Sequence, residues 1–239
     1  MSLKTVIRTG LRKLGIDIYR YDPTVRIPPL NSSFKKFEID LIFDIGANQG
    51  QFATEVRRGG YAGKIVSFEP LSDAYSKLLQ ASTGDSAWEA YPRCALGDHN
   101  GEIEINIAGN SLSSSILPML DAHRTAAPES IYQGKEVVAV KTLDTVAAPY
   151  LTSARAPFLK IDTQGYESKV LDGAEVTLPL VKGVLVELSL VPLYEGQPLW
   201  LEMIERLEVA GFVLWAFDPV FSDPRDGRTL QIDGVFYRA

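Results

Sequence analysis

The sequence contains almost no cysteine and almost no histidine. Cys94 is the single cysteine among 239 residues, and His99 and His123 are the two histidines. One cysteine excludes an intrachain disulfide and a thiolate metal cluster, and two histidines exclude a histidine-rich zinc site. We therefore predict no bound metal, although a magnesium site made only of carboxylates stays open. The lack of disulfides fits a reducing compartment, and we expect a cytoplasmic protein.

The chain also lacks long apolar runs and an excess of positive charge. No stretch approaches the roughly 20 apolar residues that span a bilayer, and the N-terminus has no signal-peptide pattern, so we expect a soluble protein. The 30 Asp and Glu residues outnumber the 24 Lys and Arg residues, which gives a net charge of -6. This balance argues against nucleic acid as a partner, because phosphate neutralisation needs clustered basic residues. We expect a small-molecule or saccharide partner, and the oligomeric state stays open.

The N-terminal part differs in pattern from the rest of the chain. Residues 3–14 place apolar side chains on one helical face and basic side chains around the other, which predicts an amphipathic helix. Such a helix lies on an anionic membrane, docks a partner or packs on the domain, and the sequence leaves these possibilities open. Prolines then predict an irregular segment over residues 16–34. We predict a lead-in at residues 1–36 and a single α/β domain at residues 37–239.

The most informative stretch is a strand that runs into a turn with two glycines. Leu41–Phe43 is a continuous apolar run, which suits a central parallel strand covered on both faces. Gly46 and Gly50 permit a positive φ and a close approach of a ligand to the backbone, and a helix beginning near Gly50 points free N–H groups at the turn. Asp44 stands at the end of the strand, where open α/β sheets bind ligands. The stretch is typical of a nucleotide-cofactor site.

An acidic residue at the end of the next strand supports this interpretation. Lys64–Pro70 is the second predicted strand with Glu69 at its tip, and Glu69 follows Gly50 by 19 positions. An acid about 20 residues beyond a glycine turn commonly accepts hydrogen bonds from a ribose diol. Glu69 is therefore predicted to bind the ribose of a cofactor.

Two later strands also carry acidic residues near their ends. Phe158–Ile161 is a predicted buried strand with Asp162 at its carboxyl end, and Val184–Ser189 repeats the pattern with Glu187. Parallel strands that deliver acids to one edge of a sheet define a crevice, which is where ligands bind in this architecture. Lys160 breaks the apolar run and has to pair with a carboxylate or reach water.

The remaining pattern predicts further strands and one long loop. A third strand is predicted from Trp88 onward, ending at Ala95–Asp98, with Leu96 placed to contact an adenine ring. The segment 109–134 has no clear period and is long for a loop in a compact domain, which favours a functional lid over a disordered insertion. Other predicted elements are strands at residues 102–107, 137–140, 212–217 and 234–237, and a helix at residues 200–210.

Five blocks of sequence together resemble one family. They are Phe43–Gly50, Phe68–Pro70, Ala95–Asp98, Thr142–Asp144 and Leu159–Glu167. In order and spacing they resemble the FkbM family of S-adenosylmethionine-dependent methyltransferases, over roughly residues 40 to 237. The resemblance implies an α/β, doubly wound, Rossmann-like class I methyltransferase fold. In that fold a mostly parallel seven-stranded sheet has helices on both faces and an antiparallel last strand.

The resemblance also implies S-adenosylmethionine as the cofactor and a set of residues that bind it. The turn Asp44–Gly50 would hold the methionine part and Glu69 the ribose, while Leu96 and Gly97 would line the adenine. Asp162 would lie beside the sulfonium and the acceptor. The predicted cofactor-binding residues are Asp44, Gly46, Ala47, Asn48, Gly50, Phe52, Glu69, Pro70, Leu96, Gly97 and Asp162. The turn lacks the middle glycine of the commonest methyltransferase turn, but Asn48 is usual in this family.

The reaction that the resemblance implies is methyl transfer to a hydroxyl oxygen, usually on a sugar or a secondary metabolite. We expect in-line displacement at the methyl carbon, in which alignment of the reactants dominates. Asp162 is predicted to hydrogen-bond the acceptor hydroxyl and take its proton late, and Glu187 is the second predicted catalytic residue. Glu167 and His99 are weaker candidates.

Two other functions compete with this prediction. An NAD(P)-dependent oxidoreductase predicts a Gly-x-Gly-x-x-Gly turn, whereas this chain has Gly46, Asn48 and Gly50. A non-catalytic scaffold protein that only binds S-adenosylmethionine predicts loss of acids from the crevice, whereas the acids at the strand ends are present.

Overall fold

The computed structural model describes residues 30–238, in which ten strands form two sheets. The larger sheet contains β1 Leu41–Ile45, β2 Lys64–Phe68, β3 Trp88–Ala90, β7 Pro157–Ile161, β8 Gly183–Ser189, β9 Val213–Ser222 and β10 Thr229–Tyr237. The smaller sheet contains β4 Ala95–Leu96, β5 Gly101–Ala108 and β6 Tyr132–Lys141. The strand order of the larger sheet is β3-β2-β1-β7-β8-β10-β9.

The centre of the larger sheet is parallel and fully buried. Strand β1 lies between β2 and β7, with Asp44 opposite Ser67 on one side and Lys160 on the other. Every residue of β1 and β7 is buried, as expected for strands with helices on both faces. Strand β10 runs antiparallel to both β8 and β9. The predicted seven-stranded, mostly parallel sheet with an antiparallel last strand is therefore confirmed.

Helices cover both faces of the larger sheet. They are α1 Leu30–Lys36, α2 Gln51–Arg58, α3 Ser72–Ser82, α4 Asp121–Ala126, α5 Leu143–Leu151, α6 Glu167–Asp172 and α7 Trp200–Val209. On one face, Phe34 of α1 and Val56 of α2 share a core with Ile42. On the other face, Leu207 of α7 shares a core with Phe43. Neighbouring residues of β1 point to opposite faces, so one strand anchors both layers.

The smaller sheet corrects one prediction. Trp88–Ala90 and Ala95–Leu96 are separate strands in different sheets, whereas the sequence predicted one strand ending at Asp98. Pro92 lies between them and has no backbone N–H, so it cannot continue a strand ladder. Strand β4 instead pairs with β6, which also pairs with β5.

Helix α1 lies in a stretch that was predicted to be irregular. The ring of Phe34 is buried edge-on against Phe158 and Tyr61, with centroids 4.8 and 5.5 Å away. Burial of this aromatic ring stabilises a helix that the preceding prolines do not predict. The prediction of an irregular segment is therefore wrong from residue 30 onward.

The amphipathic helix predicted at residues 3–14 lies outside the described residues, and the domain boundary at residue 37 stays a prediction. No helix within residues 30–238 is long and apolar enough to cross a membrane.

Candidate active site

The turn after β1 depends on residues with left-handed backbone. Gly46, Asn48 and Gly50 have φ values of 73°, 48° and 85°. A Cβ atom on Gly46 would lie 1.8 Å from the carbonyl oxygen of Asp162, and one on Gly50 would lie 2.8 Å from the ring of Trp88. Only glycine fits these two contacts. The turn therefore packs directly against the end of β7, and α2 begins at the next residue.

Glu69 is a buried carboxylate with two backbone partners. Its Oε2 atom accepts a hydrogen bond from the backbone N–H of Asn48 at 2.9 Å, and its Oε1 atom accepts one from Leu71 at 2.8 Å. A carboxylate has about four acceptor positions, so two remain for a ligand. Burial raises the pKa of Glu69 to about 7, although these hydrogen bonds oppose the shift.

Lys160 connects the two acids at the centre of the sheet edge. Its Nζ atom lies 3.4 Å from Oδ1 of the fully buried Asp44 and 3.5 Å from Oδ2 of Asp162. It also donates a hydrogen bond of 2.8 Å to the carbonyl of Gly46. Burial lowers the pKa of Lys160, but the carboxylates of Asp162 and Asp44 outweigh burial and raise it. Lys160 thus stays charged and ties the glycine turn to both strands.

Asp44 is a buried acid in β1, next to the glycine turn. Its Oδ2 atom accepts a hydrogen bond of 2.9 Å from the hydroxyl of Ser67. Burial raises the pKa of Asp44, while Lys160 and Ser67 oppose that effect. Asp44 is not part of the cavity wall, so its contacts within residues 30–238 are those of a structural anchor.

Gln164 links Asp162 to Glu187. The Nε2 atom of Gln164 donates hydrogen bonds to Oδ1 of Asp162 at 2.9 Å and to Oε2 of Glu187 at 2.8 Å. Its Oε1 atom accepts a hydrogen bond of 2.8 Å from the hydroxyl of Tyr194, and Glu187 also accepts one of 2.6 Å from Gln231. The two carboxyl groups on one side and the hydroxyl of Tyr194 on the other fix the orientation of the amide. Burial and the nearby Asp162 raise the pKa of Glu187.

A cavity lies between the ends of β1, β2 and β7. Its polar lining includes Gly46, Asn48, Glu69 and Asp162, together with serines of the segment 111–115. Its apolar lining includes Leu71, Cys94, Ala95, Leu96, Ile105 and Ile116. A ligand that has both a flat apolar ring and charged groups matches this mixed lining.

The segment between β5 and α4 covers this cavity. Asn48 Nδ2 donates a hydrogen bond of 3.1 Å to the carbonyl of Ser111, and the hydroxyl of Ser111 donates one of 3.3 Å back to Asn48 Oδ1. The hydroxyl of Ser115 donates a hydrogen bond of 2.6 Å to the carbonyl of Gln164. The segment is therefore attached both to the glycine turn and to the turn after β7.

The structure brings together some of the predicted site residues and not others. Those that line the cavity are Gly46, Asn48, Glu69, Pro70, Leu96 and Asp162. The residues Asp44, Ala47, Gly50, Phe52, Gly97 and Glu187 lie behind or beside its wall. Phe52 faces Lys160, with Nζ 5.8 Å from the ring centroid, and Gly97 packs against the ring of Tyr166.

The two weaker catalytic candidates have other roles in the structure. Glu167 Oε1 accepts hydrogen bonds from the backbone N–H groups of Thr163 and Gly165, so it stabilises the turn after β7. His99 is exposed and bonded to Asp98, outside the cavity wall. Among the described residues, no group of three His, Cys, Asp or Glu side chains is placed to hold a metal ion.

The fold and the site together define a Rossmann-like domain built to bind a nucleotide cofactor. The sequence profile of the Methyltransferase FkbM domain matches residues 44–214, which is more than half of the chain. This protein belongs to the FkbM family of S-adenosylmethionine-dependent methyltransferases. A comparison with curated protein sequences found no match.

Three solved structures illustrate what this chain is similar to. Methyltransferase FkbM from Methylobacillus flagellatus KT is 13% identical with a TM-score of 0.46, over 82% of this chain and 44% of that one. LepI in complex with SAM is 14% identical with a TM-score of 0.44, over 98% and 52%. The O-methyltransferase NcsB1 from neocarzinostatin biosynthesis is 12% identical with a TM-score of 0.44, over 88% and 52%. This chain thus spans about half the length of each of them.

Proposed function

We propose that this protein transfers a methyl group to a hydroxyl oxygen of a sugar or a small metabolite. The observation that carries the proposal is Asp162, the acid that lines the cavity at the end of β7 with its side chain 38% exposed. Gln164 holds one of its oxygens and Lys160 lies near the other. A carboxylate held in this way is suited to orient a hydroxyl group.

The cavity supports a specific placement of the cofactor. Glu69 has two free acceptor positions for the ribose hydroxyls, and the apolar lining residues such as Leu96 suit the adenine ring. The backbone of Gly46 and Asn48 would contact the methionine part once the segment above the turn has opened. S-adenosylmethionine bound there supplies a methyl group on a positively charged sulfur.

Asp162 performs the chemical role that the chain itself contributes. It accepts a hydrogen bond from the acceptor hydroxyl and takes up the proton as the oxygen–carbon bond forms and the carbon–sulfur bond breaks. Orientation of the reactants accounts for about 7–11 kcal/mol of barrier lowering when their geometry is good. A general base adds roughly 10²- to 10⁴-fold in rate. Glu187 accepts a hydrogen bond from Gln164 and so fixes the amide group that also contacts Asp162.

The segment 109–134 acts as a lid in this proposal. The space left beneath Ser111–Ile116 is about 80 Å³, whereas pockets for small ligands hold about 300–1,000 Å³. The hydrogen bonds from Ser111 to Asn48 and from Ser115 to Gln164 therefore have to open before the cofactor enters.

Calorimetry followed by an activity assay tests the proposal. S-adenosylmethionine should bind and NAD should not, and binding of NAD alone would favour the oxidoreductase. Methyl transfer from labelled cofactor to a panel of glycans and hydroxylated metabolites should then fall at least about 100-fold in Asp162→Asn. Cofactor affinity should be retained. Asp73→Asn, at an exposed helix position, is the matched control.

The same experiment separates an enzyme from a scaffold protein that only binds the cofactor. A scaffold would bind S-adenosylmethionine and transfer no methyl group to any member of the panel. Transfer to a nitrogen or carbon atom, seen by mass spectrometry of the product, would overturn the proposed O-methylation. The protein would then still be a methyltransferase.

A further inference from the structure

The outer edge of the larger sheet is an apolar strand. Within residues 30–238, β9 pairs with β10 and with no other strand. Val213, Trp215, Phe217 and Val220 are each about half exposed, at 53, 50, 54 and 49%. Edge strands of monomeric proteins usually carry lysine or other charges that prevent pairing, but Asp218 is the single charged residue of β9. This edge is therefore suited to pairing with another strand.

An apolar groove of about 340 Å³ adjoins the same strand. Its walls include Phe217 of β9, Leu188 of β8, and Trp200 and Ile204 of α7. The four half-exposed side chains of β9 alone present on the order of 400 Å² of apolar surface. The largest patches on monomers measure about 300–600 Å² and often have a function, and a stable interface buries about 800 Å² per partner. The exposed side chains of β9 fall within the range of functional patches but below the area of a stable interface, so the proposed contact also has to include the walls of the groove.

We propose that β9 pairs antiparallel with β9 of a second copy of this chain, around a two-fold axis at Phe217. Such an interface uses the same surface on both copies. At this register Phe217 faces Phe217 of the partner subunit above the groove, and Asp218 stands opposite Ala216 of the partner subunit. The larger sheets of both copies then form one continuous sheet.

Charge complementarity supports this register. Asp218 lies opposite Asp233 in its own sheet, and like charges in such a pair repel. No Lys or Arg side chain of residues 30–238 lies within 4 Å of Asp218. Lys36 sits over the ring of Trp215, with Nζ 4.3 Å from its centroid. Because Trp215 is adjacent to Ala216, the pairing brings Asp218 near Lys36 of the partner subunit and offsets the repulsion.

The structure also limits the assembly to two copies. Pro219 has no backbone N–H, so it ends the pairing after Asp218. The opposite edge of the sheet is β3, which has only three residues and carries Glu89 in an ion pair with Lys64. A short, charged edge does not extend the sheet further, so pairing through β9 gives a closed dimer.

Sedimentation of the full chain tests the proposal independently of methyl transfer. The protein should be a dimer at micromolar concentration, and Phe217→Lys should be a monomer because two like charges then meet at the axis. Val176→Lys adds the same charge at a 72% exposed loop position and should stay dimeric. Both variants should still bind S-adenosylmethionine, which shows that they fold. A monomeric wild type, or a dimer that survives Phe217→Lys in a folded protein, would overturn the proposal.

A cross-linking experiment checks the register. Cys94 is buried, so a cysteine introduced at the surface is the reactive thiol. Under mild oxidation Phe217→Cys should form a disulfide-linked dimer, because facing residues at a two-fold axis come within bonding distance. Val176→Cys should stay uncross-linked. Equal cross-linking of both variants would show random collision and contradict the two-fold axis at Phe217.

Discussion

The carboxyl edge of the larger sheet has two halves that are held in different ways. At β1 and β2, Glu69 is fixed by the backbone N–H groups of Asn48 and Leu71. At β7 and β8, Glu187 is fixed by the side-chain amides of Gln164 and Gln231, which are 23 and 44 positions away. We call these the cofactor half and the acceptor half. The first depends on backbone donors, which lie 21 and 2 positions from Glu69, and the second depends on side-chain donors.

This difference has a functional consequence. A single substitution removes a side-chain donor but leaves a backbone donor in place. On the proposed function, we therefore expect single substitutions to disturb the acceptor half more readily than the cofactor half. Lys160 is the exception, because its ammonium group pairs with Asp44 in one half and lies beside Asp162 in the other.

Substitution of Lys160 should have the largest effect because it breaks both halves together. Lys160→Met leaves the buried Asp44 without its cation, and removal of one partner from a buried pair costs about 3–5 kcal/mol. We expect the free energy of unfolding in urea to fall by that amount. Lys64→Met, at a half-exposed pair with Glu89, should cost less than about 1 kcal/mol. A similar loss of unfolding free energy in both variants would show that Lys160 contributes no more to stability than an ordinary surface ion pair.

The second prediction breaks the cofactor half alone. Glu69→Gln replaces a charged acceptor of ribose hydroxyls by a neutral one, and hydrogen bonds to charged groups are worth about 1.5–3 kcal/mol. S-adenosylmethionine should bind roughly 10- to 100-fold more weakly by calorimetry. Glu187→Gln, in the acceptor half, should keep cofactor affinity and lose methyl transfer. Equal weakening of cofactor binding in both variants would remove the distinction between the halves.

The two halves also differed in how far the sequence predicted them. The positive φ of Gly46 and Gly50 and the acid of Glu69 follow from glycine spacing and strand pattern, which are local signals. The position of Asp162 at the end of β7 is predicted in the same way. The cavity wall formed by Ser111 and Ile116 was not predicted in detail, because the segment 109–134 has no period.

The contacts of Gln164 and Tyr194 could not be predicted from one sequence. Tyr194 is fully buried and donates to Gln164 across 30 positions, and neither residue belongs to a motif that specifies the contact. The one local signal was Gly165, which predicts a turn after β7, and Gln164 has a left-handed backbone in that turn with φ 54°. The break between β3 and β4 was missed for a simpler reason, because Pro92 was included in a strand pattern.

The third prediction concerns the acceptor half. Gln164→Met keeps the length of the side chain but removes the donors to Asp162 and Glu187 and the acceptor for Tyr194. A buried polar group left without a partner costs about 1–3 kcal/mol, so we expect a moderate loss of stability. The turnover number should fall while cofactor affinity is kept. Gln80→Met, at an exposed helix position, should change neither the stability nor the turnover number. A loss of cofactor affinity in Gln164→Met would contradict the distinction between the two halves.

The smallest effect we predict is a pH dependence that belongs to the cofactor half. Burial raises the pKa of Glu69 to about 7 from its ordinary value of 4.5. Because the folded state holds this proton more tightly, the associated stability is full below about pH 4.5 and is lost as pH rises through about 7. Ribose hydroxyls donate to the ionised form, so cofactor affinity should rise between about pH 6 and 8, by less than tenfold per unit.

Calorimetry at three pH values across that range measures this dependence. In Glu69→Gln the dependence should disappear, because the amide does not titrate there. Burial also raises the pKa of Glu167 in the acceptor half to about 7, but Glu167 bonds to Thr163 and Gly165 and does not line the cavity. Glu167→Gln should therefore change the pH dependence of stability and leave that of cofactor binding intact. If Glu167→Gln instead abolished the dependence of binding, the proton would belong to the acceptor half and Glu69 would not be the ribose ligand.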